Sequence, residues 1–148
     1  MTDPKADLHH YLQAARDALL WKLDGLSEYD IRRPMTPTGT NLLGLVKHLT
    51  GVEIGYFGKT FGRSVEYPPW VTDHAEDNVD MWTTPGESRE YIVGQYRTAW
   101  AYADIVRELV DGTVGLRADN TNLPAEDRMW WETYRTRLER AAREADRG

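Results

Sequence analysis

The 148-residue chain contains no cysteine. This absence excludes disulfide bonds, cysteine-ligated zinc, iron–sulfur clusters and catalysis by a cysteine thiolate. Any thiol chemistry that the protein performs must therefore use a thiol from outside the chain.

The chain also lacks a basic excess and long apolar runs. Lys and Arg total 18 against 24 Asp and Glu, which gives a formal net charge of −6. Binding nucleic acid through its phosphates needs a positive field, so we expect no nucleic-acid partner. The arginines between Arg135 and Arg147 alternate with acidic residues and are typical of a solvated helix face. No apolar run approaches the ~18 residues of a membrane span, and residues 1–7 lack the apolar core of a secretory signal. We therefore expect no membrane partner and a cytoplasmic location.

Helical periodicity is the main feature that the chain does have. Its length favours one domain over residues 1–148. Apolar residues recur at three- and four-residue steps in four stretches, and no stretch alternates as a strand does. The predicted helices cover 4–23, 40–61, 85–112 and 124–145; Thr40 or Asn41 caps the second, and a Thr84–Glu87 capping box starts the third. The sequence predicts an all-α fold, an antiparallel four-helix bundle with a partly irregular segment between the second and third helices.

Two details of packing follow from the same pattern. The inward stripe of the first helix includes Leu8 and Tyr11, which are one turn apart. Residues 62–83 show no period, and a bare loop of that length is unusual in a compact domain. We expect this segment to pack onto the bundle through Trp70 and Trp82.

Familiar catalytic and ligand-binding motifs fail on their spacing. Gly58-Lys59-Thr60 resembles the end of a phosphate-binding loop, but the first glycine of that motif would fall at Glu53. A calcium loop starting at Asp73 would have Thr84 in place of its bidentate glutamate. No Gly-x-Ser-x-Gly elbow is present.

His48 is the histidine that attracts attention. It follows Leu45 by three residues and precedes Val52 by four, which puts it on or beside the apolar stripe of the second helix. A buried imidazole needs a partner for its proton or its lone pair, so His48 is either a hydrogen-bonded core residue or a metal ligand. Spacing alone favours the first, because no second histidine lies one turn away on this helix. His9 and His10 are expected to be exposed or structural.

Several segments together are more specific than any single motif. They read GLVKHLTGVE at 44–53, AEDNVDMW at 75–82, PGES at 85–88, YRTAW at 96–100 and DIVRELVDG at 104–112, followed by NTNLP at 120–124 and WW at 130–131. In these segments the chain resembles the DinB/YfiT-like family of four-helix proteins, in particular its actinobacterial branch. The resemblance covers nearly the whole chain.

The resemblance implies a site and a chemistry. Members of the family hold a divalent metal, nickel or zinc, on three side chains at one end of the bundle. Relatives are transferases or isomerases that depend on mycothiol, bacillithiol or glutathione. On this basis His48 is predicted to be a metal ligand, and the expected cofactors are a zinc or nickel ion and a mycothiol-type thiol, with a small molecule as substrate. No catalytic or cofactor-binding residue is assigned, because the sequence does not rank the available carboxylates Glu53, Asp73 and Glu76.

The other two metal ligands of the family are missing from this chain. In the family they lie one turn apart on a later helix, just ahead of the stretch that here begins at Ala103. The residues before Ala103 include Gln95, Ala99 and Tyr102, none of which is a good ligand for a divalent metal. Either the protein has lost a segment near Ala99–Ala103, or the sequence joins two stretches that are separated in the natural chain.

Three hypotheses about function stay open at this point. The first is a metal-dependent transferase, or a related enzyme, that uses a mycothiol-type thiol and has His48 as a ligand. The second is a non-catalytic or degenerate bundle that binds a small molecule or a partner, with His48 as a core or pocket residue. The third is a homodimer in which a shortened bundle completes its core with a helix of a second copy.

Overall fold

The computed structural model describes residues 4–59, 66–71, 78–109 and 128–147. Within these ranges the chain forms five helices and no strand, which confirms the all-α prediction. The helices are α1 (Pro4–Trp21), α2 (Glu28–Arg32), α3 (Leu42–Phe57), α4 (Arg89–Leu109) and α5 (Arg128–Asp146). The antiparallel four-helix arrangement and the single domain stay predictions. None of the described helices combines the length and apolarity needed to cross a membrane.

Short α2 was not predicted from the sequence. The side chain of Ser27 accepts a hydrogen bond from the backbone N–H of Asp30 and caps this helix. Five residues are too few to show a 3.6-residue period, so the pattern gave no signal here. α2 nevertheless buries Ile31 and Arg32 and packs against both α3 and α5.

The start of α3 follows the prediction and its end does not. Asn41 is the N-cap, and its Oδ1 accepts the backbone N–H of Gly44 at 2.7 Å. The helix stops at Phe57, where the N–H of Gly58 closes the last turn on the carbonyl of Ile54. The predicted helix continued to residue 61, but the described residues 58 and 59 already lie beyond the end of α3, so the predicted end is too late.

The Thr84–Glu87 contact forms, but it does not begin a helix. The backbone N–H of Thr84 donates to Glu87 Oε2 at 2.8 Å, and residues 84–87 form a turn. α4 begins at Arg89, with Ser88 Oγ accepting from the N–H of Tyr91 at 3.1 Å. Residues 112 and 124, where helix boundaries were predicted, lie outside the described ranges.

The apolar core joins α1, α2, α3, α4 and the segment before α4. Its buried members are Leu23, Ile31, Leu43, Val46, Trp70, Ile92 and Tyr96. Trp70 is 6% exposed and packs edge-to-face against Tyr91, and Trp82 is half-buried beneath the guanidinium of Arg137. Both tryptophans therefore pack down as predicted.

The inward face of α1 differs from the predicted stripe. Leu8 and Tyr11 are each 72% exposed, whereas Arg16 is 1% exposed. The predicted stripe was wrong because a periodicity pattern classifies each residue only by its own polarity. Arg16 is buried together with a carboxylate from another helix, a pairing that the local pattern does not contain.

Candidate functional site

His48 lies on α3 and is paired with an aspartate from the segment ahead of α4. Its Nδ1 is 2.7 Å from Asp80 Oδ2. The two side chains are 26% and 25% exposed, so the pair is half-buried and accessible from solvent. His48 is therefore hydrogen-bonded, as one of the two predicted readings required, but it does not lie in the core.

The hydrogen bond determines which imidazole nitrogen is available for chemistry. A carboxylate only accepts, so in neutral His48 the proton is assigned to Nδ1, which donates to Asp80. Nε2 then carries a lone pair. Such a nitrogen can take a proton from a reacting group or coordinate a cation.

Asp80 was missed by sequence reasoning. It closes the acidic stretch 73–80, which was weighed only as a calcium loop. In the structure it sits in a turn closed by a hydrogen bond from Met81 N–H to Asn78 O, 2.9 Å long, in which Asn78 has a φ of 44°. The sequence feature that could have pointed to Asp80 is the segment 75–82, which is one of the segments that resemble the family. No periodicity or spacing links residue 80 to residue 48.

Lys47 joins α3 to the same segment. Its ammonium donates to Trp82 O at 3.0 Å, forms an ion pair with Glu87 and lies 5.1 Å from the centre of the Trp70 ring. Burial lowers the pKa of Lys47, although the hydrogen bond and the charge of Glu87 oppose that effect.

α5 also meets the segment that carries Asp80. Burial raises the pKa of the Tyr134 phenol, and the charge of Asp80 raises it further. Next along α5, the Arg137 guanidinium lies 5.9 Å from the centre of the Trp82 ring. Arg137 also lines an open groove of about 390 Å³ on α5, together with Glu132, Thr133, Thr136 and Arg140.

A second polar cluster joins α1, α3 and α4. Arg16 donates to both oxygens of Glu53, at 2.7 and 2.6 Å, and also to Asp104 at 3.3 Å. Burial works against the charge of Arg16, but hydrogen bonds and charges of Glu53 and Asp104 outweigh it and raise the pKa of the guanidinium. His9 Nε2 is 2.9 Å from Asp104 Oδ1, which gives His9 the structural role expected for it.

These contacts bear on which carboxylate could act in catalysis, a choice that the sequence left open among Glu53, Asp73 and Glu76. Glu53 is 5% exposed and is held by Arg16, so it is a structural partner and a poor candidate for a base. Asp73 and Glu76 lie outside the described residues. Asp80, which was not among the three, is the carboxylate that contacts His48.

The family resemblance implies a metal held by three side chains, with His48 as one of them. A three-ligand site needs three His, Cys, Asp or Glu side chains that converge, and the described part of the chain contains no such group. His48 and Asp80 match a metal-binding histidine and the carboxylate that orients it, but they do not complete a site. His48 as a metal ligand therefore stays a prediction.

Comparison with known proteins adds one finding. The family model described as mycothiol-S-transferase matches residues 7–144, which is nearly the whole chain. Searches of the curated proteins and of the solved structures gave no match. The matched range contains His48, Asp80 and every contact described above.

Proposed function

The chain belongs to the mycothiol-S-transferase family, a DinB/YfiT-like family, and on that premise we propose that it transfers the sulfur of a mycothiol-type thiol to an electrophilic small molecule. His48 is the residue that accepts the thiol proton, and Asp80 orients it. The chain has no cysteine of its own, so the reacting sulfur comes from the bound thiol.

The observation that supports this role is the 2.7 Å hydrogen bond between His48 Nδ1 and Asp80. It leaves Nε2 with a lone pair on a side chain that is about one-quarter exposed. A general base needs such geometry, within hydrogen-bond reach of the proton that it removes. In the second cluster His9 is oriented differently, because its Nε2 is the atom occupied by Asp104.

The proposed reaction is a displacement. The S–H bond of the thiol breaks as its proton passes to His48 Nε2, and the sulfur electron pair forms a bond to the electrophilic carbon. The leaving group departs with the electron pair of its own bond. His48 then returns the proton to the leaving group or to water, and Asp80 stabilises the imidazolium between the two steps.

A turnover assay with matched variants tests the proposal. Purified protein is supplied with mycothiol and chlorodinitrobenzene, and the coloured thioether product is followed against glutathione and cysteine as alternative thiols. We expect mycothiol to be preferred. We expect His48→Ala to lower kcat/KM about 100-fold or more, the usual range for losing a general base. Asp80→Asn should cost about 10-fold, because it removes only orientation and charge.

His10→Ala is the control, since His10 is an exposed histidine that contacts the ring of Tyr11. It should keep the wild-type rate. Equal rates for His48→Ala and His10→Ala would contradict the assignment of His48. Mycothiol binding without any turnover would instead support the non-catalytic hypothesis.

The predicted metal is tested in the same preparation. Protein purified without a histidine tag is analysed for zinc and nickel, and thermal unfolding is followed as each metal is added. A stabilisation by zinc or nickel that disappears in His48→Ala would support His48 as a ligand and would contradict its role as the base, because the Nε2 lone pair cannot bind a metal and accept a proton at once. Substoichiometric metal and no stabilisation would count against it.

A further inference from the structure

One side of α3 and its N-cap carries four contacts to the segment 78–84. The residues are Asn41, Gly44, Lys47 and His48: Gly44 follows Asn41 by three residues, and Lys47 and His48 follow Gly44 by three and four, so they lie on the same side of the helix. His48 reaches the Asp80 carboxylate. The other three reach the backbone immediately after Asp80.

The side-chain amide of Asn41 forms hydrogen bonds both to α3 and to the segment after Asp80. Its Oδ1 caps α3 by accepting from Gly44 N–H, and its Nδ2 donates to Met81 O at 3.0 Å. The side chain is 1% exposed, so the Met81 contact is shielded from competing water. The beginning of α3 and the residue after Asp80 are thus held by the same group.

Gly44 lets the two backbones touch. A Cβ added at this position would lie 1.9 Å from Met81 O, whereas ordinary contact begins at 3.4 Å. Any other residue at position 44 would therefore force Met81 away from α3 by more than an ångström. The neighbouring Asp80 carboxylate could not keep its 2.7 Å hydrogen bond to His48 through such a displacement.

Lys47 adds the third attachment. Its ammonium binds Trp82 O and Glu87, so it holds the chain on the far side of Met81. Lys47 is 3% exposed, and removing the Glu87 carboxylate would leave its buried charge without a counter-charge.

We propose that Asn41, Gly44 and Lys47 are positioning residues that fix the backbone at Met81 and Trp82 and thereby hold Asp80 on Nδ1 of His48. Through Asp80 they set the imidazole tautomer, so that Nε2 carries the lone pair. The value of that tautomer for thiol transfer rests on the proposed function, but the positioning itself is a property of the folded chain.

The tautomer of His48 is measured by long-range proton–nitrogen NMR on protein labelled with nitrogen-15 at histidine. The chain has 4 histidines, and the His48 signals are identified by their loss in His48→Gln. In its neutral form, wild-type His48 should show the Nδ1–H tautomer. A free histidine side chain in water prefers the Nε2–H form, so loss of the Asp80 contact has a distinct signature.

Gly44→Ala and Gly55→Ala form a matched pair on the same helix. A Cβ at Gly55 meets nothing within 4 Å, so Gly55→Ala should keep the Nδ1–H form and the wild-type transferase rate. Gly44→Ala should shift His48 to the Nε2–H form, as Asp80→Ala, which removes the acceptor altogether, also should. Retention of the wild-type tautomer in Gly44→Ala would overturn the proposal.

Asn41→Asp provides a second variant in case Gly44→Ala does not fold. Aspartate is as good an N-cap as asparagine, so α3 keeps its start, but the donor to Met81 O is lost. We expect the same tautomer shift in a protein with wild-type helix content. An unchanged tautomer in this variant would count against the role of Asn41 and would contradict the proposal.

The test is independent of catalysis. The tautomer is measured without thiol or electrophile, so a protein without transferase activity can still show the predicted shift. Conversely, full activity in Gly44→Ala together with a shifted tautomer would separate the positioning from the chemistry and would contradict the role proposed for the tautomer.

Discussion

In the described part of the chain, three buried cations are paired with carboxylates: Arg16 with Glu53, Lys47 with Glu87, and Arg32 with Glu28. Only Glu53 is itself buried, whereas the Glu87 and Glu28 side chains are 19% and 35% exposed. The buried Arg16–Glu53 pair adds little to stability compared with a well-packed apolar pair, but loss of one partner leaves an uncompensated charge and costs ~3–5 kcal/mol. Such pairs therefore fix which helix faces meet, more than they strengthen the contact.

Tyr134 yields a prediction about alkaline pH. Burial and then the charge of Asp80 raise the pKa of its phenol above the ordinary value of 10.0. The folded protein therefore keeps the Tyr134 proton while the unfolded chain loses it, and the contribution to stability is present below pH 10.0 and is lost as the pH rises above it. The loss is up to ~1.4 kcal/mol per pH unit. In urea denaturation above that pH, the free energy of unfolding should fall more steeply for wild type than for Tyr134→Phe.

Tyr91→Phe is the control for this experiment, because Tyr91 is 42% exposed. It should show the wild-type slope. Some slope should persist in Tyr134→Phe, since burial also raises the pKa of Tyr96. Identical slopes for wild type and Tyr134→Phe would contradict the assignment.

At the scale of elements, the start of α4 shows how a local motif can form without starting a helix. Thr84 and Glu87 make half of a capping box, through the backbone N–H of Thr84 and the Glu87 carboxylate. Glu87 also pairs with Lys47, and the carbonyls of Thr84 and Glu87 accept from Arg32. These long-range contacts use the turn at 84–87 as an attachment site, and Ser88 takes over as the N-cap.

Two alanine variants distinguish the two possible starts of α4. Ser88→Ala removes the acceptor of the Tyr91 N–H and should lower the free energy of unfolding by ~1 kcal/mol, the usual cost of losing a serine cap. Thr84→Ala should change it by less than ~0.5 kcal/mol, because Thr84 is exposed and uses its backbone in the capping contact. Urea denaturation of both variants at neutral pH gives the comparison. A larger loss in Thr84→Ala would restore the start predicted from the capping box.

At the scale of the whole molecule, the continuity of α4 bears on the missing ligands. The helix runs without interruption through Ala99 and Ala103, both of which are buried in the core. Asp104, just after the predicted junction, contacts both His9 and Arg16 on α1. The chain thus forms one continuous helix across the predicted junction, a geometry that is compatible with a lost segment.

A tryptic digest of the protein from the cells that make it tests this directly. Cleavage after Arg97 and Arg107 should release the peptide TAWAYADIVR, residues 98–107, which spans the junction. The neighbouring peptide EYIVGQYR, residues 90–97, is the positive control. Recovery of the control with a different peptide following Arg97 would show that the natural chain contains an additional segment, and the metal ligands would then be sought there.

The sequence by itself determined the features that depend on neighbouring residues. It placed the four long helices and the Asn41 cap, because capping and helical periodicity are encoded within a few positions. It also predicted that Trp70 and Trp82 pack inward, because a bare loop as long as residues 62–83 is unusual in a compact domain. It also singled out His48 and excluded any chemistry based on a cysteine of this chain.

Only the tertiary structure decided which side chains meet. Asp80 joins His48 across 32 positions and Arg16 joins Glu53 across 37, and no local rule specifies either distance. On α1, Leu8 and Tyr11 are exposed while Arg16 is buried with its partner Glu53. A polar residue is buried when a partner from elsewhere in the fold satisfies it, and that partner is known only once the helices have packed.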